Sequence, residues 1–290
     1  MPGTREGGAL KEDIIRFCMN KGADLVGFAP VERWDEFGDV PPEFRPRSLF
    51  PQARTVVVVG MAMPLPVVET TPSALHKELY ETTNAQLDSL VVELTRYLNR
   101  AGYASFPFLR DVYTSMAALR ENNLAAFGHV PSAVYAGLGT IGMNQCVLTP
   151  EFGPRVRFAS VFTEAEIPPD PMQSEELCIK CGLCARMCPK QAIKPREDRV
   201  VGDYDKTACL EMAEELVKKR CFPCGICTKV CPIGRDRRLY RNTRARKKYE
   251  REPATLAADP DAPDYRSWTH VRRYGIAHQP KSKETSGGTK

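Results

Sequence analysis

Two runs of cysteine constrain this chain more than anything else in it. Cys178, Cys181, Cys184 and Cys188 are spaced C-x2-C-x2-C-x3-C, and Pro189 follows the last of them. Cys221, Cys224, Cys227 and Cys231 repeat the spacing, and Pro232 follows. Three thiols two residues apart fit one tight loop, while a cysteine before proline is held extended and reaches away from that loop. A fold that carries both runs has to bring two such loops together.

The doubled spacing is the signature of a bacterial two-cluster module, in which each 4Fe-4S cubane takes three thiolates from one loop and a fourth from the other loop's Cys-Pro step. It places Cys178, Cys181, Cys184 and Cys231 on one cluster, and Cys188 with three later cysteines on the other. Paired C-x2-C also suits tetrahedral zinc, but neither the longer spacing nor the two Cys-Pro steps would serve a zinc site. By spacing alone the second cluster takes Cys221, Cys224 and Cys227, which leaves Cys209 as a surplus thiol.

The 290 residues exceed one average domain. The cysteine module needs only residues 175–235, so the residues before it can form a domain with its own core. A free electron carrier has no need of them. No apolar run reaches the ~18 residues of a membrane span, and the opening residues lack the apolar stretch of an export signal. Eleven cysteines in ferredoxin spacing, without such a signal, point to a reducing cytoplasm rather than to disulfides. The net charge of +5 is uneven, with nine Lys or Arg against two acids across residues 235–251. That stretch reads as a solvated face, as a dock for an acidic electron donor, or as a grip on RNA. Residues 279–290 have the composition of a disordered tail.

Periodicity predicts a helix over residues 9–20, with Cys18 on its core face, and a strand over 24–29. The β-branched run at 55–60 reads as a central strand buried on both faces. A long helix over 73–99 carries Leu75, Leu79, Leu87, Leu90, Val91, Leu94 and Leu98 on one face, and a second helix spans 111–126. Short strands are expected at 134–136 and 146–149 around a glycine turn, and another at 156–163. These make an α/β layer domain. Gly137, Gly139 and Gly142 match the dinucleotide fingerprint G-x-G-x-x-G. Pro150, Gly153 and Pro154 deny it the following helix that a pyrophosphate site requires. The glycines imply close backbone approach to something, either a cofactor edge or a neighbouring strand.

Taken in order, the segments GADLVGFAP, PRSLFPQARTVVVV, AGLGTIGMN and TPEFGPRVRFASVFTEAEI, followed by both cysteine runs, resemble the superfamily of epoxyqueuosine reductases and reductive dehalogenases. The resemblance covers residues 22–232. It implies a nitroreductase-like cobalamin-binding α/β layer domain (residues 1–167), then a two-cluster ferredoxin-like α+β domain (168–235), a basic C-terminal extension (236–278) and the tail. It implies two 4Fe-4S clusters that deliver electrons to base-off cobalamin, with Gly137, Leu138, Gly139, Gly142 and Asn144 lining the cofactor. It also replaces Cys221 by the isolated Cys209, giving Cys178, Cys181, Cys184, Cys188, Cys209, Cys224, Cys227 and Cys231 as ligands.

The implied activity is that of a cytoplasmic oxidoreductase which reductively cleaves a carbon–heteroatom bond in a small molecule or modified nucleoside, with reduced ferredoxin or flavodoxin as donor. The alternative is an electron-transfer or corrinoid-activating protein without substrate chemistry. The superfamily's Asp-x-x-Pro-x-x-Glu-Arg segment is missing, with Asn122 and Asn123 near its acid, and Met143 stands where a lysine is usual. The proton donor is therefore sought nearby. His129 is the first candidate, for its near-neutral intrinsic pKa, and Tyr135 the second, ahead of Tyr113 and Glu121. Arg155 and Arg157 are expected to pair with acids or with cofactor amides.

Overall fold

The computed structural model describes residues 7–111, 113–122 and 124–274. In chain order its strands are β1 (Leu25–Pro30), β2 (Thr55–Ala62), β3 (Ser105–Phe108), a small hairpin of β4 (Thr140–Ile141) and β5 (Val147–Leu148), and β6 (Val156–Thr163). The main sheet has the order β1-β2-β6-β3, and every neighbouring pair is antiparallel.

The valine run of β2 makes sense in this setting. Val57, Val59 and Met61 face one layer with Leu10, Ile14, Leu87 and Leu94, from the helices Gly7–Asn20 and Ala74–Arg100. Val56 and Val58 face the opposite layer with Trp34, Phe127, Tyr135 and Phe162. A strand covered on both sides needs no polar alternation. Each fully buried Leu or Val adds roughly 1.5–3 kcal/mol. The long helix starts at Ser73, whose hydroxyl accepts from the His76 backbone N–H at 3.1 Å.

Residues after 168 build a third, smaller core. Leu183, Ile193 and Val230 from the cysteine region join Tyr249, Tyr265 and Trp268 from the C-terminal segment. The basic stretch is thus partly interior. Lys229, 1 % exposed, is held by both Glu252 oxygens at 2.7 and 2.6 Å. Arg272 also reaches Glu252, at 3.0 Å, and donates to the carbonyls of Thr70 and Thr71 at 3.0 and 2.8 Å. The helix Arg266–Arg273 thereby straps the cysteine region to the loop before the long helix.

Two local expectations are corrected. Residues 134–136 end the helix His129–Tyr135 instead of forming a strand; Pro131 lies in its first turn, where its missing N–H is harmless. The helix expected over 111–126 shrinks to Met116–Glu121, capped by Ser115. Strand β3, which no expectation from the sequence covers, carries Pro107 at the sheet's edge, where proline is tolerated. The tail at 279–290 and Asn123 lie outside the described residues.

Candidate iron–sulfur and cofactor site

Each cysteine run turns on one left-handed glycine: Gly182 (φ 69°) opens the helix Leu183–Arg186, and Gly225 (φ 63°) opens Ile226–Val230. Both glycines follow the second cysteine of their run, so the two loops fold alike. Cys178, Cys181, Cys184 and Cys231 line one small recess together with Asn144 and Pro232. Burial pushes the Cys184 thiol up to about 12, and Cys181 and Cys178 are among the neighbours that add to it.

The second group forms around Cys224. Its thiol is pushed up to about 12 by burial, with Cys227, Cys209 and Cys188 as further causes. Cys209, on the helix Lys206–Lys218, is raised by burial, hydrogen-bonded to Tyr204, and near Cys227 and Cys188. The sulfur of Cys188 accepts from the Ala192 N–H at 3.3 Å. Cys221 stands apart. Its thiol donates to the Lys219 carbonyl at 3.3 Å and is raised by burial, with Lys219 opposing the rise. Four soft thiols per group suit an iron–sulfur cubane, and a bound metal displaces thiol protons that burial otherwise retains.

Between the second group and the sheet lies a cavity of about 520 Å³. Phe127, Val147, Val156 and Phe158 give it an apolar wall, and Cys227 and Thr228 bound it on the cluster side. Cys146 shares that side and hydrogen-bonds Cys227 through its thiol. Polar side chains also line it. Arg157 donates to Asn84 at 2.9 Å and to both Asp111 oxygens at 3.2 Å, and its guanidinium lies 4.6 Å from the centre of the Tyr80 ring. The Tyr80 hydroxyl donates to Asp111 at 3.3 Å. Burial raises the Tyr80 pKa, Arg157 opposes the rise, and Asp111 adds to it. His76, 1 % exposed, also lines the cavity, and neither ring nitrogen has a well-formed hydrogen bond among the described residues.

The two candidate proton donors are displaced by this geometry. His129 is on the cavity wall, but Nε2–H donates to the Leu109 carbonyl at 2.9 Å and Nδ1 accepts from Ser160 at 3.0 Å. Burial pushes its pKa down to about 4, so it is neutral at pH 7 with both nitrogens committed. Tyr135 lies away from the cavity, edge-on to Trp34 at 4.9 Å, and donates its hydroxyl to Asp39. Its helical rather than extended backbone turns it that way. Glu121 is exposed, and Tyr113 is half-buried near Asp111.

The glycine turn is corrected as well. A Cβ on Gly137 would meet the Pro171 carbonyl oxygen at 2.2 Å, and one on Gly139 the Leu148 carbonyl oxygen at 2.1 Å. Gly142 packs on the Leu148 side chain, and Leu138 fills the space beside Gly27. The close approach that the glycines signalled is to protein backbone. Asn144 donates to the Cys227 carbonyl at 3.3 Å, which joins the β4–β5 hairpin to the second cysteine loop.

His76, Tyr80 and Asp111 were missed by sequence reasoning. His76, Tyr80 and Asn84 recur at i, i+4 and i+8 on the long helix, a polar stripe beside the leucine face, and that was the available signal.

The 4Fe-4S dicluster domain family matches residues 177–235. The tetrachloroethene reductive dehalogenase of Desulfitobacterium hafniense is 28 % identical over 193 residues, covering 65 % of this chain and 30 % of that protein. The epoxyqueuosine reductase of Bacillus subtilis (strain 168) is 22 % identical over 214 residues, covering 63 % and 51 %. The chain thus spans about a third to a half of the length of these relatives. In fold it is similar to a catabolic reductive dehalogenase solved with 3-bromo-4-hydroxybenzoic acid, at TM-score 0.65 and 20 % identity, covering 92 % of this chain and 38 % of that one. By its sequence matches, its dicluster domain and its mixed α/β fold, the chain is a homologue of the reductive dehalogenases and the epoxyqueuosine reductases.

Proposed function

We propose that this chain is an iron–sulfur oxidoreductase which reductively cleaves a carbon–heteroatom bond, with cobalamin held in the cavity of its nitroreductase-like α/β half. One observation carries the reading: Cys227, a member of the second thiol group, forms part of the cavity wall that faces Tyr80 and Arg157. Electrons that reach this group are one side chain from the reaction space. The ligand set is Cys178, Cys181, Cys184 and Cys231 for the outer cluster, and Cys188, Cys209, Cys224 and Cys227 for the inner one. The division is residues 1–167 for the cofactor half and 168–235 for the clusters, with the basic segment packed onto the latter.

The cavity suits a flat macrocycle with polar edges. It offers an apolar wall, polar groups able to bond peripheral amides, and the buried His76 imidazole, whose hydrogen-bond partner is the Pro223 backbone. Bound cobalamin would supply the low-valent cobalt for bond cleavage. The overall change takes two electrons and one proton, converting C–X and H⁺ into C–H and X⁻. Burial keeps the Tyr80 phenol protonated at rest, as a proton donor must be, and Arg157 lies over the ring to stabilise the phenolate that donation leaves. Asp111 and Asn84 fix the guanidinium in place. The reducing cytoplasm suits such clusters. No helix among the described residues is long and apolar enough to cross a membrane. The donor is reduced ferredoxin or flavodoxin, and the substrate a small molecule or modified nucleoside; the surface cations of residues 244–251 are the place where an RNA would be held.

The test is anaerobic reconstitution with iron, sulfide and hydroxocobalamin, followed by single-turnover reduction of halogenated phenols and of epoxyqueuosine. Tyr80→Phe should keep about eight irons, by the two-cubane count, and lose roughly 100- to 10,000-fold in rate, whereas His129→Asn and Tyr135→Phe stay near the parent. A parent that binds corrinoid and is reduced, yet converts neither substrate class, would favour the electron-transfer or corrinoid-activating role.

A further inference from the structure

Two buried guanidiniums stand behind Cys231, whereas the guanidinium nearest the other thiol group among the described residues, Arg157, is paired with Asp111. Arg155, 0 % exposed, donates to the Ile233 carbonyl at 3.1 Å and meets the Asp236 carboxylate at 2.5 and 3.3 Å. Arg237, 4 % exposed, donates to the Tyr249 hydroxyl at 3.0 Å, to the Lys229 carbonyl at 3.1 Å and to the Cys231 carbonyl. Arg155 Nη1 and Arg237 Nε have no hydrogen-bond partner among the described residues. Buried N–H groups without acceptors are rare in folded proteins, and here they lie beside a recess lined by four thiols. Gly234 makes the approach possible, since a Cβ there would come within 2.3 Å of Arg155 Nη2.

The charges do not cancel. Asp236 offsets Arg155, Glu252 is shared between Lys229 and Arg272, and Glu69 accepts from Tyr249, so four cations stand against three acids, and the direct bonds of Arg237 go to a phenol and two carbonyls. Around the second group the hydrogen-bond partners are neutral: the Tyr204 hydroxyl at Cys209, the Cys146 thiol at Cys227 and the Ala192 N–H at Cys188; the nearby Arg157 is offset by Asp111. Reducing a cluster adds one negative charge. A fixed positive charge favours that step, more strongly in a buried setting than in water. We propose that Arg237, with Arg155 beside it, gives the outer cluster the higher reduction potential of the two, so that the first electron rests there and the second occupies the inner cluster at the cavity. The proposal rests on the two-cluster reading above. It gives a two-electron reaction a place to hold one electron while the other is delivered. Ile179, 62 % exposed, lines the outer recess and leaves that cluster only thinly covered on the side where a donor would dock.

The test is a redox titration of the reconstituted full chain, followed by electron spin resonance, with iron counted in every sample. The parent should show two waves, and Cys178→Ser should remove or alter the upper one. Arg237→Gln should lower only the upper wave, by about tenfold in reduced-to-oxidised ratio, which is about 59 mV for one electron. Arg237→Lys should recover most of that shift, which a merely structural role would not allow. Asp236→Asn should move the upper wave the opposite way, because it frees the charge of Arg155. Coincident parent waves, equal shifts in both, or an Asp236→Asn shift downward would overturn the proposal while leaving the two-cluster reading intact. A parent without iron would end both.

Discussion

The two halves of this chain are held together by different physics. Residues 7–167 form a sheet with apolar layers on both faces, and most of its side chains could be exchanged for others of similar size. Residues 168–274 have a smaller core, many thiols, and buried ions that are stable only in each other's company. The first half is specified by periodicity and the second by particular partners. Damage should therefore spread differently through them.

Removing the metal should give the largest contrast. Chelation of the reconstituted protein under anaerobic conditions should strip hydrogen-exchange protection from residues 177–274 while β2 and β6 stay protected. Equal loss in both halves would mean that the sheet depends on the clusters. Single cysteines sharpen the point. Cys209→Ser should lose about half of the eight irons expected from the two-cubane count, and Cys221→Ser almost none. The reverse result would restore the ligand set read from spacing alone.

Smaller effects test the ions. Glu252→Gln leaves Lys229 and Arg272 without their shared acid and should destabilise the protein by about 3–5 kcal/mol. Glu250→Gln, which only loosens the exposed Arg186 and Arg246, should change stability by about 1 kcal/mol or less. Denaturant midpoints of the two variants are the measurement. The weakest prediction belongs to the sheet half. His129 is held at about 4, below the ordinary histidine value of 6.5. Between those values the unfolded chain binds the extra proton, so stability falls as pH drops through that window, by up to about 1.4 kcal/mol per pH unit. His129→Asn should flatten that slope, and a slope that is unchanged would assign the acid sensitivity to other groups.

What the sequence disclosed follows the same division. The valines of β2 and the long helix's Leu87, Leu90, Val91, Leu94 and Leu98 were legible because a periodic pattern states which face is buried, whereas Leu75, in the helix's first turn, is exposed instead. The cysteine runs were legible because three ligands of each cubane come from one short loop. The fourth thiol of the inner group was not, since the choice between Cys209 and Cys221 depends on where the helix Lys206–Lys218 is laid down beside Tyr204. The glycine turn announced close approach but not to what, a cofactor edge or a neighbouring strand; Gly139 meets Leu148, a neighbour that the hairpin brings near. Tyr135 was misplaced because a helix was taken for a strand. Tyr80 escaped notice because a tyrosine among leucines on a long helix looks like packing until Arg157 is seen across from it.

The strap made by Arg272 bears on how the molecule is put together. Arg272 holds the carbonyls of Thr70 and Thr71, and the Thr71 hydroxyl donates to the carbonyl of Cys224. A ribosome releases the sheet, then both cysteine runs, and only afterwards this arginine. During that interval the thiols exist on an unfastened loop, open to whatever delivers iron and sulfide. Once residue 272 arrives, its bonds to the Thr70 and Thr71 carbonyls fasten the loop that touches Cys224 to the C-terminal segment. If clusters are loaded before that fastening, Arg272→Ala should speed iron loss to a chelator in the reconstituted protein, and an unchanged rate would show that the strap plays no part in holding them.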